Sequence, residues 1–145
     1  MSAKSTSPAT DARAIADAAV AFLAALTPGQ RAKVAFPFDS PERTNWHYVP
    51  RARKGLARRD MNEAQLEAAD ALLAATASGR AFHQIKAVFQ REVTLKAIEQ
   101  AKGTLIHERD PGLYYFSVFG DPSGAAPWGW RVDGHHVSVN IAVMD

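Results

Sequence analysis

The sequence predicts an α+β fold, in which N-terminal helices are followed by a C-terminal antiparallel β-meander. Two observations support this prediction. Apolar residues recur at helical spacing as far as Gly103, whereas the chain beyond it is rich in aromatic and β-branched residues separated by turn signals. A length of 145 residues is enough for one domain with a substantial core. We therefore expect residues 1–10 to be a disordered lead-in and residues 11–145 to form a single domain.

Two helices are predicted before a long loop. Asp11 is suited to cap the first helix, in which apolar residues repeat at helical spacing up to Leu26. Thr27, followed by Pro28 at the first helical position, predicts a short second helix. The stretch FPFDSPERTNWHYVPRARKG, residues 36–55, then contains three prolines and no sustained period. It indicates an extended surface loop, and a loop of this length often carries function.

Two longer helices follow the loop. A capping box at Asp60 or Asn62 begins the first of them, and Gly79 is expected to end it as the residue after the C-cap. The second runs from about Phe82 to Ala101, with a buried stripe that continues to Val93. Both periods are those of helices that pack one apolar face against a core.

Three strands are predicted after these helices, in the segments LYYFSVF, WGWRV and HHVSVNIAV. The dipeptide DG indicates a hairpin turn between the last two, in which Gly134 supplies the positive φ that a type I′ turn needs. The last strand is apolar and has no turn or cap after it. Because such an edge invites pairing, we expect either a dimer formed through this strand or a missing C-terminal half that pairs with it.

Composition and charge exclude several classes of protein. The formal net charge of +2 is too small to indicate a polyanion partner, and the basic run RARKGLARR has no interleaved aromatics, so we expect no nucleic acid. The absence of cysteine excludes disulfides, thiolate metal sites and cysteine nucleophiles. The uncharged run over residues 18–26 is too short for a secretory leader or a membrane span. These features predict a cytoplasmic protein without a membrane partner.

The last strand carries a polar row that could form a site. With alternate side chains on opposite faces, His136, Ser138 and Asn140 share one face, and His135 lies on the apolar side. A histidine beside a hydroxyl and an amide can bind a metal, act as a base or orient a ligand. Arg131, just across the predicted turn, could hold an anion. The alternative is a solvated sheet face that happens to contain a histidine.

Aromatic residues form two further candidate features. Trp128 shares a face with the tryptophan two residues later, and the pair is either a stacking platform for a planar ligand or part of the core. In the loop segment NWHYVPR, an extended chain would direct Trp46 and Tyr48 to one side and His47 to the other. This segment either completes a site with the strand residues or anchors the loop by inserting its aromatics into the core.

Three other polar residues are expected to have structural roles. His107 lies in a turn before the strands, where it would cap the backbone or be solvated. Glu92 and Glu99 are two helical turns apart with Lys96 between them, a spacing typical of surface ion pairs. The sequence has no GxSxG elbow, HExxH motif, P-loop or dinucleotide fingerprint, so those enzyme classes are disfavoured.

Three segments together resemble a bacterial family catalogued as domain of unknown function 3500. They are FPFDSPERTNWHYVPRARKGL, RDPGLYYFSVFGDPS and PWGWRVDGHHVSVNIAV, and the resemblance extends from about Gln30 to the end of the chain. The family has no established activity to transfer. The residues that carry the resemblance are Asn45, Trp46, His47, Arg51, Arg109, Asp110, Phe119, Gly120, Trp128, Arg131, Gly134, His135, His136, Ser138 and Asn140.

The resemblance also bears on the abrupt end of the chain. Relatives of this family look longer and continue to a part with its own histidine-containing segment. The resemblance therefore implies that residues 11–145 are the N-terminal part of a longer family domain, and that a complete site would need both parts.

Our leading hypothesis is an enzyme-like domain that acts on a small molecule, with metal-assisted hydrolysis as its reaction. His136, His47 and Ser138 would be catalytic, with the histidines as bases or as ligands of a divalent metal ion that His135 also binds. The expected ligand-binding residues are Arg131, Asn140, Trp128, Asn45 and Arg51. The alternative hypothesis is a non-catalytic ligand-binding or protein-interaction domain that uses the tryptophans and the last strand.

Overall fold

The structure, a computed structural model, describes residues 11–144 and confirms the α+β order of helices before a β-meander. The predicted lead-in, residues 1–10, lies outside the described residues. The helices are α1 (Ala12–Ala24), α2 (Pro28–Val34), α3 (Glu63–Thr76) and α4 (Gly79–Lys102). The strands are β1 (Ala35–Phe36), β2 (Leu56–Ala57), β3 (Tyr115–Phe119), β4 (Trp128–Gly134) and β5 (Val137–Val143). Within residues 11–144, no helix combines the length and the apolar character needed to cross a membrane.

Side-chain caps begin the first three helices where the sequence predicts them. Asp11 accepts a hydrogen bond from the backbone of Arg13, and Thr27 forms a capping box with Gln30. Of the two boxes that could begin α3, the one formed is that of Asn62, whose side chain accepts from the Gln65 backbone. Each cap satisfies backbone donors that have no partner inside the helix.

The boundary between α3 and α4 differs from the prediction. Gly79 does not follow the C-cap of α3 but is the first residue of α4, because Ser78 caps that helix by accepting from the backbone of Ala81. The predicted start at Phe82 is therefore three residues too late. At the other end, Gly103 adopts a left-handed φ of 67° and ends α4 as expected.

Strands β3, β4 and β5 form the predicted antiparallel meander. The sheet order is β1-β3-β4-β5, and the short β2 pairs with the same edge of β3 as β1 does. Strand β1 is parallel to β3, and β2 is antiparallel to it. These two short strands frame the loop over residues 37–55 and bring both of its ends to β3. Strand β5 lies at the opposite edge of the sheet.

The hairpin turn between β4 and β5 lies two residues later in the chain than predicted. Asp133 and Gly134 belong to β4, and the turn residues are His135 and His136. Gly134 pairs with Val137 and does not have a positive φ, whereas His136 has a φ of 62°. The prediction of a DG turn is therefore wrong.

Gly134 is needed for a different reason, which is close packing. A Cβ atom at this position would lie 2.4 Å from Cδ1 of Tyr114 and 2.8 Å from the carbonyl oxygen of Leu113. The glycine therefore allows the Tyr114 ring to pass directly over β4. Sequence alone cannot show this contact, because it joins residues that are far apart in the chain.

One face of the sheet packs against the helices and forms the core. The rings of Phe116 and Trp130 stack with centroids 5.8 Å apart, and Phe22 of α1 contacts Phe116. The indole of Trp130 donates to the hydroxyl of Thr76. Trp128 is only 3% exposed. Trp128 and Trp130 are therefore core residues. The predicted ligand-binding role of Trp128 is not supported, because its ring is enclosed by protein.

We expect Gly134→Ala to destabilise the protein by about 1–3 kcal/mol, since the added methyl group overpacks a close contact. The measurement is the free energy of unfolding in urea. Gly124→Ala is the matched control, because a Cβ atom there would meet nothing closer than 3.5 Å. Equal unfolding midpoints for the two variants would contradict this account of Gly134.

Candidate functional site

The face of the sheet opposite the helices buries a chain of charged side chains. Arg131 and Asp133 of β4 are each 1% exposed. Glu42 of the loop pairs with Arg131 at 2.8 Å, and Arg53 of the loop pairs with Asp133 at 2.6 Å. We call Glu42, Arg131, Asp133 and Arg53 the ion chain. It ties residues 37–55 down onto the sheet.

The two carboxylates of the ion chain have pKa values shifted in opposite directions. Burial acts to raise the pKa of Glu42, but hydrogen bonds from Asn45 and Arg131 and the charges of Arg131 and Lys54 lower it below its ordinary value. For Asp133, burial raises the pKa, although Arg131 and Arg53 oppose the rise. Glu42 is therefore the carboxylate whose ionised form the fold favours.

Three buried polar atoms at the centre of this face have no hydrogen-bond partner among the described residues. They are Oγ of Ser117, Nε of Arg131 and Oδ1 of Asp133. Nε of Arg131 lies 3.3 Å from Oδ1 of Asp133, so the two charges attract, but the pair does not meet hydrogen-bond geometry. Ser117 is the cross-strand neighbour of Arg131. Burying a polar atom without a hydrogen bond costs free energy, so a group of three such atoms is unusual in a folded protein.

A cavity of about 280 Å³ lies over the ion chain, and we call it the Arg131 cavity. Its lining brings together four of the predicted ligand-site residues, namely Asn45, His47, Arg51 and Arg131. The predicted role of Arg131 is not supported, however. Its Nη atoms donate to the carboxylate and backbone carbonyl of Glu42, so they are not free to hold an anion.

A second cavity, of about 260 Å³, has His135 in its lining and is called the His135 cavity. Nδ1 of His135 lies 2.6 Å from Oε1 of Glu92, which is only 6% exposed. The hydroxyl of Tyr114 donates to the backbone carbonyl of His135 and holds the turn in place. Burial raises the pKa of Tyr114, so this hydroxyl stays a donor.

Arg109 completes the surroundings of the histidine. Its guanidinium donates twice to Glu99, at 2.9 and 3.0 Å, and its Nη1 lies 3.5 Å from Nδ1 of His135. Because the contact with Glu92 is much shorter, we assign the proton of a neutral His135 to Nδ1. The predicted surface pairing of Glu92 and Glu99 is therefore wrong: each binds a residue beyond its own helix.

The two cavities share a wall, made by residues 51–53. His107 and Arg59 also line the His135 cavity. Arg59 is paired at 2.6 Å with Glu108, and both side chains are largely exposed. His107 was expected to cap a turn or be solvated, and its place at this rim was not predicted.

The polar row of β5 does not lie in either cavity. His136 is exposed in the turn, and its backbone N–H donates to the carbonyl of Tyr48. Asn140 is exposed and donates to the hydroxyl of Ser138. Neither the His136 ring nor these two side chains line the cavities that contain the other candidates. The alternative of a solvated sheet face therefore fits this row better.

The described residues offer no ready metal site. Between residues 11 and 144 there is no group of three or more His, Asp or Glu side chains arranged to hold a metal ion. The rings of His135 and His136 lie 4.0 Å apart, because both residues belong to a turn rather than to a regular strand. The proposed set of His135, His136 and His47 has no supporting observation in this geometry.

The loop aromatics lie on the surface. Trp46 is 38% exposed and Tyr48 is 49% exposed, and their rings contact edge to face at 5.2 Å. They do not enter the core, so the anchoring alternative is wrong in the form that was expected. The loop is anchored by charge instead, because Arg53 donates to the carbonyls of His47 and Val49 as well as to Asp133.

Glu92 is the residue that sequence reasoning missed with most consequence. The predicted stripe of α4 holds at Phe89, which is 1% exposed, but Val93 is 53% exposed. The buried face of α4 continues at Glu92, three residues after Phe89, instead of at Val93, four residues after it. A carboxylate at a stripe position was the available signal.

Comparison with known proteins finds a family to which the sequence matches. A family model described as protein of unknown function (DUF3500) matches residues 8–145. No curated protein and no solved structure shows a significant match to the chain. The family match takes in every helix and strand described above.

We expect Glu42→Gln to destabilise the protein by roughly 3 kcal/mol near neutral pH, because it removes the nearer of the two carboxylates that pair with the buried Arg131. A carboxylate with a lowered pKa stabilises the fold above its unfolded pKa, ordinarily 4.5, and this contribution is lost as the pH falls. The difference between wild type and variant should therefore shrink below about pH 4.5. Urea unfolding at several pH values measures it.

The control for this experiment is Glu67→Gln, which makes the same change at an exposed position on α3. It should alter the stability by less than about 0.5 kcal/mol at every pH. If Glu42→Gln behaves like Glu67→Gln, the ion chain does not hold the loop.

Proposed function

The chain belongs to the DUF3500 family, whose function is unknown, and we propose that it is a small-molecule enzyme in which His135 is the general acid or base. The observation that carries this proposal is the 2.6 Å contact between His135 and the buried Glu92 at the wall of a cavity. Histidine is the side chain best suited to proton transfer near neutral pH. The leading hypothesis of an enzyme-like histidine site is thereby kept, with His135 in place of His136.

Glu92 would prepare His135 for this role. A carboxylate that accepts from Nδ1 fixes the ring orientation and the tautomer, and it stabilises the imidazolium that forms when the ring takes up a proton. Nε2 is then the nitrogen with no partner among the described residues, and it is the atom that would exchange a proton with a substrate. The hydrogen bond from Tyr114 to the His135 carbonyl fixes the backbone of the same residue.

The size of the cavity favours a small polar substrate. Its volume of about 260 Å³ is close to the lower end for ligand sites, roughly 300 Å³. The wall is polar without an excess of either charge, since three arginines and three carboxylates line it, namely Arg51, Arg53, Arg59, Glu92, Glu108 and Asp110. Metal-assisted hydrolysis, the finer form of the hypothesis, has no observation that supports it here, and the proposal therefore rests on proton transfer alone.

We expect neutral His135 to carry its proton on Nδ1, and Glu92→Leu to remove that preference. Long-range ¹H–¹⁵N correlation spectra distinguish the two tautomers directly. His83, which is exposed on α4, serves as an internal reference that the substitution should leave unchanged. A wild-type His135 that carries its proton on Nε2 would contradict the assignment.

Turnover can be tested without knowing the substrate. A mixture of small metabolites is incubated with wild type, His135→Gln and His136→Gln, and the loss of each compound is followed by mass spectrometry. We expect any compound consumed by wild type to be consumed by His136→Gln and spared by His135→Gln. The opposite order would return the site to the row of β5.

A second candidate function is association through β5, which keeps the alternative of an interaction domain. Strand β5 has seven residues, lies at the sheet edge, and contains neither a charge nor a proline. Natural proteins commonly protect such edges with charges, prolines or a covering segment. An antiparallel pair of β5 strands from two copies would be self-complementary and would join two sheets into one.

We expect wild-type protein to form a concentration-dependent dimer, and Asn140→Lys to shift it toward monomer. Asn140 is exposed on β5, and a lysine there places like charges close together in an antiparallel pair. Sedimentation velocity over a hundredfold concentration range measures the equilibrium. A wild type that stays monomeric throughout that range would remove this candidate.

A further inference from the structure

Three carboxylates are buried among residues 11–144, and they differ in how their oxygens are used. Both oxygens of Glu42 accept hydrogen bonds from side chains. Asp133 accepts at Oδ2, and its Oδ1 is sealed from solvent. Glu92 contacts His135 through Oε1, and its Oε2 has no hydrogen-bond partner among the described residues. Glu92 is therefore the buried carboxylate with an oxygen to spare.

The free oxygen of Glu92 opens into the His135 cavity. It is not one of the sealed polar atoms of the fold, so solvent reaches it. The side chain is only 8% exposed, and it lines this cavity. Nε2 of His135 likewise has no partner among the described residues and is not sealed. Oε2 and Nε2 lie on either side of the 2.6 Å contact between the two side chains, so one small molecule can meet both.

The cations near Glu92 are engaged elsewhere. Arg53 and Arg59 of the lining, and Arg109 beside it, are each paired with a carboxylate other than Glu92. The remaining arginine of the lining, Arg51, is exposed, so solvent and salt screen its charge. With a neutral imidazole as its partner, Glu92 has no cation of its own among the described residues.

We propose that the His135 cavity takes a small primary amine that carries a neighbouring hydroxyl group, with Glu92 as the residue that binds its ammonium. The two open atoms are both acceptors, so the ligand has to bring two donors. The carboxylate takes the charged donor through a charge-assisted hydrogen bond, and the uncharged Nε2 accepts from the hydroxyl. This ligand class rests on the proposed function, because Nε2 is an acceptor in the tautomer assigned to His135.

The test is a titration of the full chain with 2-aminoethanol, followed by the ¹⁵N chemical shifts of the residues that line the cavity. This amine should bind saturably, with a Kd on the order of millimolar, the range expected of so small a ligand. Glu92→Gln keeps an acceptor for Nδ1 but removes the charge, and it should weaken binding about tenfold or more. Circular dichroism verifies the fold of each variant.

The matched control is Glu108→Gln. It makes the same change on the wall of the same cavity, where Arg59 already occupies the carboxylate and both side chains are largely exposed. The affinity for 2-aminoethanol should then change by less than about threefold, because an exposed charge interacts weakly. Equal weakening by Glu92→Gln and Glu108→Gln would overturn the proposal, since the amine would then respond only to the general charge of the cavity.

Two further ligands test the same chemistry on wild type alone. Choline keeps the charge and the hydroxyl but has no N–H donor, and ethylene glycol has two hydroxyls and no charge. Each should bind about tenfold more weakly than 2-aminoethanol or worse. These comparisons decide the question even where Glu92→Gln does not fold. Equal binding of either ligand, or no saturable binding of 2-aminoethanol, contradicts the proposal.

Failure of the ligand class can be told apart from failure of the proposed function. A wild type whose neutral His135 carries its proton on Nδ1, but which does not bind 2-aminoethanol, overturns the ligand class and leaves the acid–base role standing. A proton on Nε2 overturns both, because that nitrogen could then no longer accept from the hydroxyl.

Discussion

The structure depends on the burial of two opposite charges on the face of the sheet that the helices leave uncovered. Arg131 and Asp133 alternate with the core residues of β4, so they must project to the other side. Their cross-strand neighbours on β3 and β5 are Ser117, Tyr115, Asn140 and Ser138, none of which carries a charge at neutral pH. The two side chains attract each other across 3.3 Å, and further partners of opposite sign come from outside the sheet, because a buried charge is strongly destabilising unless it is well paired. They come from the loop, as Glu42 and Arg53.

This requirement explains why a proline-rich loop without regular structure can define a site. Arg53 donates to Asp133 on the sheet and to the backbone carbonyls of His47 and Val49 within the loop. One side chain therefore fixes both the distance of the loop from the sheet and the path of its backbone. The adjoining residues 51–53 then form the wall between the two cavities. The cavities are thus a consequence of how the loop is fastened. Any change that weakens the ion chain should alter both of them together.

Strand alternation made part of this arrangement predictable. The segment WGWRV places Trp128 and Arg131 on opposite faces, and the structure has them there, with the tryptophan in the core. The family and the order of the helices and strands could also be predicted from the sequence. The position of the turn was predicted wrongly, because the presence of Gly134 was explained by a local need for a positive φ. It is in fact required by the ring of Tyr114, a contact between distant residues that no local pattern encodes.

The position of the turn determines which of the two histidines can act. In a strand, adjacent side chains point to opposite faces, and the alternation selected His136 for the polar row. Within a two-residue turn that rule no longer applies, and His135 is free to meet Glu92 of α4 while His136 is exposed. The carboxylate could have indicated this, since Glu92 is three residues beyond Phe89 on the buried stripe. A buried carboxylate needs a donor, so an acidic residue on an apolar helix face predicts a basic partner from another element. Searching for that partner among the histidines would have led to the HH pair before any strand face was assigned.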